Sequence, residues 1–122
     1  IMEAFGLPKK TEEEKAARSA AIQAATLFAT QVPLHTMQAS FKVFELCKAM
    51  AEEGNPNSVS DAGVGVLAAR AAVLGAGLNV KINASGLKDR ETADKLVGEA
   101  NELIKKANEL EAEIMKIVEE KL

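Results

Sequence analysis

Long runs of small and aliphatic residues dominate the chain, interrupted by two turn-forming clusters, Gly54-Asn-Pro-Asn-Ser58 and Ser85-Gly86. The runs begin at capping signals, which predicts helices throughout. Thr11 followed by Glu12, Glu13 and Glu14 places a hydroxyl at an N-cap and carboxylates in a first turn, where they meet free N–H groups and the positive helix end. The body from Ala16 to Val32 is small or aliphatic on nearly every side, so burial by several neighbours is expected. Pro33 removes a donor and crowds the preceding turn, which predicts a kink or tight break there and a restart through Leu34 to Glu53. After the Asn-Pro turn, Ser58-Val-Ser-Asp61 offers a capping box, with Ser60 as the alternative cap, for a helix running to about Asn83. Gly63, Gly65, Gly75 and Gly77 weaken that helix, which suggests close approach to a neighbouring helix or a ligand.

Asp89 can cap a final helix to the C-terminus, in which Leu96, Ala100, Leu103, Ala107, Leu110, Ile114 and Ile117 alternate spacings of four and three. Of the 33 formal charges, 17 lie between Lys88 and Lys121, interspersed in sign around that seam. An amphipathic bundle helix explains them, and packing on a second subunit is the alternative. The expected fold is all-α: one antiparallel bundle of long helices over residues 1–122.

Composition narrows the chemistry. Of the 122 residues 48% are hydrophobic and 27% charged, enough for a folded core, but only 3% are aromatic, with no Trp or Tyr. Small side chains must therefore pack closely, and base-stacking platforms are disfavoured. A net charge of −3 provides no global field for nucleic acid or anionic lipid. Ser19 to Phe41 carries no charge and is long enough to span a bilayer, but Gln23, Thr26, Thr30, Gln31, His35, Thr36 and Gln38 make it a bundle helix instead. One cysteine and one histidine leave no disulfide framework and no His-rich metal cluster, and no basic, apolar leader opens residues 1–20. A cytoplasmic setting is expected.

Several motifs read more simply as structure. Gly63-Val-Gly-Val-Leu-Ala68 has the spacing of a dinucleotide fingerprint but follows a polar turn where a strand is required. His35 is read as a buried or interface histidine and Cys47 as core. Asp61 stands out because it opens a helix with few polar groups, as a cap or as a carboxylate at a pocket mouth. Asn79 and Asn83 share a helical face and can present amide donors and acceptors together, with Lys81 pointing elsewhere. Asp61 and Asn79 are 18 residues apart, about five turns and roughly 27 Å on a straight helix. Within one chain they cannot grip the same atom; a neighbouring subunit could bring one across.

Leu7-Pro-Lys-Lys-Thr-Glu-Glu-Glu-Lys15, Val32-Pro-Leu34, Gly54-Asn-Pro-Asn-Ser-Val-Ser-Asp61 and Asn79-Val-Lys-Ile-Asn83 resemble, in order and spacing, the cyclodeaminase family of folate metabolism. The resemblance implies a dimer-forming all-α domain, cytoplasmic, needing no metal or nucleotide cofactor, with a tetrahydrofolate derivative as substrate. The implied activity is an ammonia-lyase, closing 5-formimidoyltetrahydrofolate to 5,10-methenyltetrahydrofolate. The related methenyltetrahydrofolate cyclohydrolase activity and a non-catalytic helical assembly module are the alternatives. Asp61 is carried over as catalytic, Asn79 and Asn83 as substrate-binding, and Lys9 and Lys81 as weaker contacts to the folate carboxylates. A formiminotransferase is a further partner it implies. The family's Thr-Pro-Gly-Gly-Gly segment and its usual catalytic aspartate would precede Ile1, so the chain is expected to be the C-terminal portion of such a domain.

Overall fold

A computed structural model describes residues 1–122. It contains α1 (Met2–Phe5), α2 (Glu12–Phe41), α3 (Val43–Glu53), α4 (Val59–Ala84) and α5 (Arg90–Lys121), with a 3-10 turn at Pro56–Ser58 and no strand. The all-α expectation holds. α2 begins with a full capping box: Glu14 N–H donates to Thr11 Oγ1 at 3.1 Å, and Thr11 N–H donates to the Glu14 carboxylate at 3.2 Å. α1 was not foreseen; Arg18 of α2 holds it, donating to the Phe5 carbonyl and lying 5.8 Å above the Phe5 ring.

The break expected at Pro33 does not occur. α2 runs through Pro33 and is interrupted only at Lys42, before α3. A proline leaves the carbonyl four residues earlier without its helical partner, here that of Ala29, and Asn83 Nδ2 of α4 donates to it at 2.8 Å. The tertiary bond removes the local reason to stop. The second half of α2 and α3 then act as one apolar arm, burying Leu34, Met37, Phe44, Cys47 and Ala51 on a common side.

α4 is the centre of the bundle, with α2 and α3 on one flank and α5 on the other. Val59, Val66, Val73 and Val80, spaced by sevens, are buried on α4, as are Ala93, Ala100, Ala107 and Ile114 on α5. Bulky valines thus pack against a row headed by alanines, which lets the two helices approach closely. The seam expected on α5 is real: Ala100, Ala107 and Ile114 are fully buried, and Leu96, Leu103, Leu110 and Ile117 pack half-buried against the core. A Cβ on Gly63 would lie 3.2 Å from Val118, and one on Gly77 would lie 2.8 Å from Ile104 and 3.2 Å from Met37. Those contacts fix α5 antiparallel to α4. Gly75 is different, with open space where its Cβ would be.

Two further expectations change. The first half of α2 is not buried on all sides, since only Thr26 and Thr30 are buried before Pro33 and Phe28 is 67% exposed. Beside this half lie only the end of α4 and the turn after it, where Gln23 donates to the Gly86 carbonyl and accepts from Lys88 N–H. His35 is exposed rather than buried. The most apolar segment is Pro56–Ala84, not Ser19–Phe41: by length and composition it could cross a membrane, with a mean hydropathy of 1.5 in its best window.

Candidate functional site

The 3-10 turn delivers the chain into α4 without the predicted capping box. Ser58 makes no side-chain capping bond, and Asn55 Oδ1 instead accepts from Asn57 N–H at 3.0 Å to shape the turn. Asp61 is therefore not occupied as a box partner. It stands exposed in the first turn of α4, where a carboxylate is favoured by the positive helix end. Beside it is a cavity of about 280 Å³ between α3 and α4, lined by Leu46, Cys47, Met50, Asn55 and Ser58 among others. Cys47 closes its floor; burial pushes its thiol up, and a Cβ on Gly65 would sit 2.9 Å from its sulfur. That environment suits packing, not a nucleophilic thiolate.

At the other end of α4, Asn79 and Asn83 line a groove of about 680 Å³ between α2 and α4. Phe28, Val32, Pro33 and Thr36 form its α2 wall, and Ala72, Gly75 and Ala76 the α4 side. Both asparagine amides are anchored: Asn79 Nδ2 donates to the Gly75 carbonyl at 3.2 Å and Asn83 Nδ2 to Ala29. Each keeps its amide oxygen and a second N–H for a ligand. The groove is a size that holds drug-like and cofactor-like molecules, mostly apolar with a few oriented polar groups. Phe28 supplies a flat aromatic face there; an isolated aromatic in an alanine-rich run was its only signal in the sequence.

The predicted residues are not brought together. Asp61 and Asn79 sit on the same edge of α4 but in different recesses. Lys81 is exposed near the end of α4, and Lys9 is exposed in the segment joining α1 to α2; neither lines the groove. No group of three or more His, Cys, Asp or Glu side chains is placed to hold a metal ion.

Residues 1–102 match the family model described as formiminotransferase-cyclodeaminase. The chain is 46% identical over 122 residues to a methenyltetrahydrofolate cyclohydrolase of Methylorubrum extorquens, covering 100% of this chain and 59% of that protein. It is 33% identical over 117 residues to a formimidoyltransferase-cyclodeaminase of Dictyostelium discoideum, covering 96% of this chain and 21% of that one. A formimidoyltransferase-cyclodeaminase of Gallus gallus is 31% identical over 120 residues, covering 98% of this chain and 22% of that one.

Proposed function

This chain belongs to the formiminotransferase-cyclodeaminase family, and from that premise we propose that it serves chemistry at the one-carbon bridge between N5 and N10 of tetrahydrofolate, opening the 5,10-methenyl bridge by hydrolysis. The observation that carries this reading is the 46% identity, across the entire chain, to a protein named for that activity. The groove's chemistry agrees with it. Phe28 offers a face for a flat ring, while Asn79 and Asn83 offer donors and acceptors to a heterocycle's edge.

In this reaction water adds to the electron-poor methenyl carbon and loses a proton to a base. The resulting hydroxyl then loses its proton as the bond from carbon to N5 breaks and N5 is protonated, leaving a formyl group on N10 and one proton released overall. Asp61 is assigned as the carboxylate that takes and returns protons, Asn79 and Asn83 as the groups that orient the ring, and Lys9 and Lys81 as outer contacts to the glutamyl carboxylates.

The cyclodeaminase reading stands second, favoured by the family description and by the relatives at 31–33% identity. It uses the same tetrahedral carbon: N10 attacks the formimidoyl carbon, and ammonia departs instead of water entering. A formiminotransferase would supply that substrate.

Full-length protein given 5,10-methenyltetrahydrofolate should remove its absorbance faster than buffer does, without releasing ammonia. Ammonia release from 5-formimidoyltetrahydrofolate would establish the second reading, and folate binding without either turnover would leave a non-catalytic assembly module. Asp61→Asn should retain the fold and lower single-turnover rates by about 100-fold or more; unchanged kinetics would remove Asp61 from the reaction.

A further inference from the structure

Resting on that reading, we propose that two copies of the chain pair antiparallel through the outer face of α4, about a two-fold axis beside Ala71, so that the partner's Asp61 completes the groove of Asn79 and Asn83. α4 is buried on the faces that meet α2, α3 and α5, yet only 33% of its most apolar window is buried. Val64, Leu67, Leu78 and Ile82 point outward, 65%, 45%, 69% and 69% exposed. Phe28 of α2 and Leu46 of α3, each 67% exposed, border them.

With their neighbours these side chains expose on the order of 800 Å² per chain, what one side of a standard stable interface requires and more than a soluble monomer usually leaves uncovered. Arg70 is the single charged residue between Ala62 and Val80. It turns away to α5, donating to Asn108 at 2.8 Å and lying 3.5 Å from Glu111. The outer face therefore holds nothing that would repel a second copy, and Ala68, Ala71 and Ala72 at its middle let two helices approach to about 8 Å.

Symmetry supplies the rest. A two-fold axis normal to the plane of two antiparallel helices reverses each along its length but keeps every residue on the same edge. Asp61 and Asn79, 18 residues apart, have the same angular position after about five turns. Reversal about Ala71 carries the partner's Asp61 to the level of Lys81, within one turn of both Asn79 and Asn83. At a shallow crossing the partner's carboxylate faces the groove from across the seam, where the chain's own Asp61 is roughly 27 Å away.

The test uses full-length protein. Asp61→Asn and Asn79→Ala each lower turnover on their own. Their heterodimer, purified through two different tags, contains one intact composite site and one doubly altered site, so about half of wild-type turnover should return. A heterodimer as inactive as its parents would overturn the exchange of Asp61.

Pairing is read independently of activity. Ala71→Cys in a Cys47→Ser background should form a disulfide-linked dimer when an added oxidant removes two electrons and two protons from the facing thiols. A monomer by sedimentation with no cross-link overturns the pairing, as does capture by phospholipid vesicles without self-association. A cross-linked dimer that turns over neither folate supports the pairing and removes the functional reading instead.

Discussion

Asn83 donates its amide to the Ala29 carbonyl that Pro33 leaves without a helical partner. Sequence resemblance assigns this asparagine to substrate; the structure gives half of its hydrogen-bonding capacity to α2. Removing it should leave a half-buried carbonyl unpaired, at a cost of about 1–3 kcal/mol. In a Pro33→Ala background the restored N–H can take that carbonyl, so Asn83→Ala should then cost less. A double-mutant cycle by urea unfolding checks this, and equal costs in both backgrounds would contradict the pairing. Thr30, fully buried, shows the same economy, its hydroxyl donating to the Thr26 carbonyl at 2.8 Å.

Helix ends carry their own tests. Asp89 caps α5, and its bonds from the Thr92 hydroxyl and then the Thr92 N–H hold its carboxyl below the usual carboxylate range. A carboxyl lowered by folding adds stability above its unfolded value of about 3.9, and that contribution is lost as pH falls through the lower folded value. Asp89→Asn keeps the capping shape without the charge. Its unfolding midpoint should therefore change less than the wild type's between about pH 6 and about pH 2. Two glycines give opposite outcomes. A Cβ on Gly54 would meet the Met50 carbonyl oxygen of its own helix, so Gly54→Ala should destabilise by about 1–3 kcal/mol. Gly98, within α5, has nothing near its Cβ position, and Gly98→Ala should stabilise by up to about 1 kcal/mol. Thermal unfolding of both variants reads the contrast.

Across the bundle, Lys121 joins the end of α5 to the end of α3 by donating to the Ala51 and Glu52 carbonyls at 2.7 and 2.6 Å. A cation at a helix C-terminus also meets its negative end. Lys121→Met should cost about 1 kcal/mol and raise amide exchange in the last turn of α3; exchange unchanged there would show that the contact does not hold the ends together. The larger arrangement places a carboxylate and an amide pair on one edge of one helix, five turns apart.

Helix content, the capping of α2 and α5 and the seven-residue seam were legible in the residues because they follow from bonds and spacings within a few turns. The same holds for the candidate polar groups and for their separation along α4. The path of α2 through Pro33, the loss of the Ser58 cap and the outward faces of Phe28 and α4 were not legible. Each depends on which distant element lies alongside: an amide from α4, a 3-10 turn, or an empty flank. Local patterning dictates which segments coil and which atoms need partners, but partners from remote parts of the chain are chosen only when the helices pack.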